Sequence, residues 1–177
     1  MQYRNQSGSG GETDECCHVP RVVQGEDYLE GREFILERPM QINDEIGVLY
    51  HVQNTQWHGV NLLDKVQGES KDYEDVTLHV QNRFFWFQDS KTILNSKKAF
   101  KWGSHHAVSW ELRKGWAVPL VIRKRIHHFE IETESNIANY YHYHAPEGMT
   151  EVKSVIVENV KPHEFAFICD GWDYRKK

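Results

Sequence analysis

The chain has 177 residues, 39% hydrophobic and 27% charged, and a net charge of −5. That is long enough for one domain with its own core, and the acidic balance argues against nucleic-acid and anionic-membrane partners, although Arg123, Lys124 and Arg125 make a local basic spot. No run of about 18 apolar residues occurs, so no helical membrane span is expected.

Residues 1–20 are polar, with SGSGG at 7–11. Such a segment buries too little apolar area to offset its ordering entropy, so a flexible tail is expected ahead of a single domain at 21–177. It lacks the apolar stretch of a secretory signal. Cys16, Cys17 and Cys169 do not have the spacing of a disulfide framework. An intracellular, reducing setting is therefore expected, with Cys16 and Cys17 able to pair between facing protomers on oxidation. Cys169, inside FAFICDG, reads as a buried, inert thiol.

From Val22 onward the chain divides into short strand-like runs: Glu33–Glu37, Ile46–Val52, Gly59–Leu63, Val76–Arg83, Thr92–Asn95, Val118–Arg123, His128–Thr133, Ala138–His144, Lys153–Val160 and Glu164–Cys169. Turn signals such as Ile42-Asn43-Asp44, Lys114-Gly115 and Ala145-Pro146-Glu147-Gly148 separate them. The only helical candidate, Asn95–Phe100, is short and rich in Lys and fits a loop better. Within the runs, Val76, Leu78 and Val80 point one way and Thr77, His79 and Gln81 the other. Val118, Leu120 and Ile122 share a face, as do Phe129, Ile131 and Thr133, and Val155, Val157 and Asn159. One apolar face per strand, repeated nine or ten times, predicts an all-β fold: a jelly-roll-like sandwich of two antiparallel sheets.

The polar face of VTLHVQNR carries His79, Gln81 and Arg83. Asn95 follows on the next run, then Trp102 in KWG. Imidazole, amide and guanidinium groups give directed hydrogen bonds to hydroxyls, and a planar indole covers the C–H face of a sugar ring. The three polar residues also read as an ordinary solvated sheet face, and Trp102 as an aromatic packed on the sandwich edge.

The order of these residues resembles the galectins, β-sandwich lectins marked by H-x-N-x-R, then V-x-N, then W-G-x-E-x-R. In HVQNR, His79 and Arg83 match and Gln81 replaces Asn. In ILN, Asn95 matches. In WGSHHA, Trp102 and Gly103 match, His105 stands for Glu and Ala107 for Arg. GVNLLD at 59–64, WELRKGWAVPLVI at 110–122 with Gly115 in register, the hairpin HFEIETESNIANYYHYH and VKSVIVENV extend the likeness to roughly residues 25–170. A second register, with Glu111 and Arg113 supplying E-x-R, is rejected because it sets Glu beside Trp and leaves Gly115 unmatched. The resemblance implies a non-enzymatic lectin for β-galactoside-like glycans, with His79, Gln81, Arg83, Asn95, Trp102 and His105 as its sugar-binding residues. The alternative is a galectin-fold protein-interaction module that has lost sugar binding. It implies glycan or glycoprotein partners, admits a protein partner or a homodimer, calls for no cofactor, and fits a cytoplasmic protein exported by an unconventional route. The Glu-to-His departure removes a charge-assisted acceptor worth about 1.5–3 kcal/mol, since neutral imidazole offers one donor and one acceptor.

No G-x-S-x-G, P-loop or G-x-G-x-x-G is present, so no catalytic reading stands. There are 11 His. His142 and His144 share one strand face, but no Cys-x-x-Cys or His-Glu-x-x-His spacing appears, and no metal site is expected.

Overall fold

The protein is described by a computed structural model covering residues 21–22, 32–51, 57–67, 73–83, 90–109, 117–134, 138–160 and 162–169. The expected tail, Gly115 and the rejected Glu111–Arg113 register lie outside these residues. The strands in chain order are β1 (Arg21–Val22), β2 (Arg32–Ile35), β3 (Glu45–His51), β4 (Trp57–Leu63), β5 (Val76–Arg83), β6 (Lys91–Lys98), β7 (Lys101–Trp102), β8 (His106–Ser109), β9 (Ala117–Lys124), β10 (Phe129–Glu134), β11 (Ala138–Tyr143), β12 (Ser154–Glu158) and β13 (Pro162–Ile168). They build two antiparallel sheets, six-stranded in the order β1-β13-β3-β9-β10-β11 and seven-stranded in the order β2-β12-β4-β5-β6-β7, with β8 also paired to β6. This is the all-β, jelly-roll-like sandwich that the alternation calls for.

The core lies between the sheets. Ile46, Val48, Leu120, Ile122 and Ile131 from one sheet meet Val60, Leu62, Leu78, Val80, Leu94 and Val157 from the other, all buried. Each such side chain contributes about 1.5–3 kcal/mol by leaving water. A polar knot joins the two sheets within this apolar layer. Asn82 Nδ2 donates to Tyr50 Oη at 2.9 Å and to His58 Nε2 at 3.0 Å, while Thr92 Oγ1 donates to Asn82 Oδ1. The Asn82 amide is thereby satisfied, as burial requires.

Three expectations are corrected. Val76 does not share the core face with Leu78 and Val80. The β5–β6 register shifts between Val76 and His79, and Val76 packs with Leu63 and Ile156 in a separate small cluster. Thr77 correspondingly turns inward, 1% exposed, and donates to Glu151 O at 2.9 Å. A β-bulge inserts one residue and flips the faces on one side of it, which strict alternation cannot register. Second, Asn95–Phe100 is not a loop: β6 runs on to Lys98 and turns directly into β7. Third, Cys169 is not a free thiol but is disulfide-bonded, with its partner outside the described residues. Arg21 and Val22 of β1 pair with Phe165 and Glu164 of β13, the strand that leads to Cys169, a proximity that spacing along the chain does not reveal.

Candidate hydroxyl-binding hollow

The outer face of the seven-stranded sheet is laid out in rows by the strand register. Asn61, His79 and Asn95 form one row across β4, β5 and β6. Glu158, Gly59, Gln81, Ile93 and Ala107 form the next. Trp57, Arg83 and Lys91 form the third. Over these rows lies a hollow of about 330 Å³ lined by Trp57, His79, Gln81, Arg83, Ile93, Asn95, Trp102, His105 and Glu158. All six residues singled out in the sequence line it.

His79 is 8% exposed, and its Nδ1–H donates to Asn61 Oδ1. That bond fixes the tautomer and leaves Nε2 as an acceptor. Burial, with the nearby Arg83 cation second, lowers the pKa of His79 to about 4, so the ring is neutral at pH 7. Its ring centre lies 4.9 Å from that of the Trp102 indole, with the planes tilted by 51°, and Trp102 itself is 49% exposed. An open indole face beside a neutral imidazole acceptor suits a ring with an apolar side and a hydroxyl edge.

The turn that delivers Trp102 is unusual. Ala99 and Phe100 both take positive φ, 47° and 63°, between the paired residues Lys98 and Lys101. This is the conformation of a two-residue hairpin turn usually made by Asn-Gly. Ala99 N donates to Asp75 Oδ1 at 2.7 Å and Phe100 N to Glu74 O at 2.9 Å, which holds the turn against the preceding loop. Asn95 supports the same hairpin. Its Nδ2 donates to Gly103 O at 3.2 Å and its Oδ1 accepts from Ser96 N at 2.8 Å. Gly103 lies close against that amide, since an added Cβ would stand in van der Waals contact with Asn95 Oδ1 at 3.4 Å. Asn95 therefore meets the hollow with the second N–H of an amide already engaged in the scaffold.

Arg83 Nε donates to Gln81 Oε1 at 2.6 Å. The guanidinium is thus held by a neighbour two residues away on its own strand, and the methylene that distinguishes Gln from Asn supplies the reach. His105 lies exposed on the connection between β7 and β8, at the rim. Ala107, opposite Ile93, leaves a small apolar strip where the galectin pattern carries Arg.

Sequence reasoning missed Trp57, Ile93 and Glu158 as lining residues. Starting the early strand at Gly59 dropped Trp57, although β4 begins there. Alternation about the inward Val155 and Val157 already turned Glu158 outward. Its Oε1 accepts from Tyr73 Oη at 3.3 Å, and its Oε2 lies 3.6 Å from where a Cβ on Gly59 would stand, with His79 Cε1 3.4 Å from the same point. Gly59 is thus the bare floor between imidazole and carboxylate.

Residues 34–161 match the model of the galactoside-binding lectin family. No curated protein sequence matches the chain. Among solved structures, the homodimeric agglutinin CG-16 from chicken liver superposes with a TM-score of 0.63 at 18% identity, over 78% of this chain and 99% of that one. Toad ovary galectin in complex with thio-digalactose gives 0.65 at 17% identity, over 78% and 98%. Xenopus laevis galectin-Ib gives 0.64 at 13% identity, over 77% and 98%.

Proposed function

Because this chain belongs to the galactoside-binding lectin family, we propose that the hollow holds a galactoside-type ring of a glycan or glycoprotein and releases it chemically unchanged. The observation that carries the reading is the convergence of the exposed Trp102 indole and the buried, neutral His79 imidazole, 4.9 Å apart, on one open face. In this reading the indole covers the C–H side of the ring. His79 Nε2 accepts from one hydroxyl, the outer nitrogens of Arg83 and the spare N–H of Asn95 donate to others, and Gln81 holds Arg83 in place. His105 meets the ring at the rim. A carboxylate is still available, from Glu158 on a different strand. Paired as a homodimer, as the chicken-liver agglutinin is, two such hollows would cross-link glycans by avidity. The disulfide at Cys169 supports a place of action in an oxidising environment.

Titration with lactose and a glycan array test the reading. Trp102→Ala is expected to abolish measurable galactoside binding while leaving the fold intact by circular dichroism. Retention of binding in that variant overturns the site. A second reading, a protein-interaction module on the same fold, is favoured by the internal bond between Arg83 and Gln81 and the engaged amide of Asn95. Absence of any binding at millimolar sugar by the folded wild-type chain decides for it.

A further inference from the structure

The outer face of the six-stranded sheet, on the far side of the sandwich from the hollow, carries a cluster that the glycan reading does not use. Phe129, Ile131 and Tyr143 of β10 and β11 point into the core. Their alternates, Glu130 and His142, therefore point outward, and they face each other directly in the β10–β11 register. His128, two residues before Glu130, belongs to the same face. The ligating atoms of His128, Glu130 and His142 all lie within 4.8 Å of one another. Glu130 Oε1 is 3.8 Å from His128 Nε2 and 4.0 Å from His142 Nε2, and the two imidazoles are 4.4 Å apart between ring centres.

From this arrangement we infer that His128 Nε2, Glu130 Oε1 and His142 Nε2 bind one divalent transition cation of the zinc type. Two imidazoles and a carboxylate are a borderline-soft donor set suited to zinc, and copper or nickel compete for it whereas calcium and magnesium do not. In a tetrahedral site with metal–ligand distances of about 2.0–2.1 Å, ligand atoms stand about 3.3 Å apart. The observed separations close to that value by small side-chain rotations. Two features prepare the site. Glu130, 8% exposed, has its other oxygen, Oε2, held by Arg125 Nη2 at 2.8 Å, which turns Oε1 toward the imidazoles in the manner of an outer-shell partner. His128 Nε2 is buried with no hydrogen-bond partner, and a metal would satisfy it. His142 stands half exposed on the solvent side, so ions enter there and water completes the coordination. His144, whose ring centre lies 5.5 Å from that of His128 and whose Nδ1 donates to His127 O at 3.1 Å, flanks the site.

The bound ion would clamp β10 to β11, the strand at the edge of its sheet. The test uses the full chain, stripped with chelator and dialysed. Isothermal titration with zinc chloride is expected to give one ion per chain, and thermal unfolding is expected to shift upward with zinc. His142→Ala and, as a second probe, His128→Gln are each expected to weaken binding about tenfold or more and to remove the thermal shift. His106→Ala, an exposed histidine on the opposite sheet, is expected to do neither. No heat of binding in the wild-type chain, or undiminished affinity in both folded ligand variants, overturns the inference. None of these outcomes depends on whether the hollow takes a sugar.

Discussion

Gln81 and Arg83 show how one altered side chain is absorbed by its neighbour. Position 105 carries imidazole where the galectin pattern has a carboxylate, and the guanidinium that would have met that carboxylate leans on Gln81 Oε1 instead. Alternation along VTLHVQNR was enough to place His79, Gln81 and Arg83 on one face. The Gln81–Arg83 bond was not legible, because contact between residues i and i+2 on a strand depends on rotamers that the sequence does not state. Nor did the sequence disclose that both amide atoms of Asn95 serve the hairpin. Restoring the charge by His105→Glu is expected to raise lactose affinity. A hydrogen bond to a charged group is worth about 1.5–3 kcal/mol, and each 1.4 kcal/mol is about tenfold, so a gain of about tenfold or more should appear by calorimetric titration. Unchanged affinity would show that residue 105 does not face the ligand.

At the level of elements, the β6–β7 hairpin is where local preference and tertiary demand disagree most. Nothing about Ala99-Phe100 announces a turn, which is why the segment reads as a loop or a helical stub. Two left-handed residues cost about 1–2 kcal/mol each outside Gly and Asn. The bonds to Asp75 and Glu74, and the Lys97 ammonium 5.5 Å above the Phe100 ring, offset part of that. Substituting Ala99→Asn with Phe100→Gly removes the steric cost and forfeits an exposed cation–π contact of about 0.5–1 kcal/mol. The net expectation is stabilisation by about 1–2 kcal/mol, read as a higher urea midpoint at constant slope. The bulge in β5 was equally hidden, since an inserted residue leaves composition and average alternation untouched. The neighbouring β4 was legible because Val60 and Leu62 alternate inward with outward-facing residues.

For the whole molecule, the two sheets and their shared core follow from alternation, and the polar knot inside them does not. Alternation carries Asn82 inward after Leu78 and Val80, but nothing in the sequence tells that it and His58 bridge the sheets with Tyr50 and Thr92. Burial lowers the pKa of His58 to about 3, and burial with the Arg83 charge lowers that of His79 to about 4. In the unfolded chain both rings take up a proton near pH 6.5, so below that the unfolded state binds more protons than the folded one and stability falls with pH. The effect is absent above about pH 7 and grows downward until the folded rings protonate near pH 4 and 3. The slope approaches about 1.4 kcal/mol per pH unit for each histidine. Urea midpoints measured from pH 7.5 to 4.5 should decline accordingly, and His79→Gln should flatten the decline. A midpoint independent of pH over that range would contradict the burial of both rings.

The bare floor at Gly59, with Trp102 toward one end of the trough and Glu158 toward the other, gives the binding face a direction. In the proposed reading, a saccharide chain with its flat C–H side on the indole extends across Gly59 toward Glu158. The chain then leaves past a fixed negative charge. Sialylated or sulfated extensions would meet repulsion there and neutral ones would not, a discrimination that weakens as salt is added.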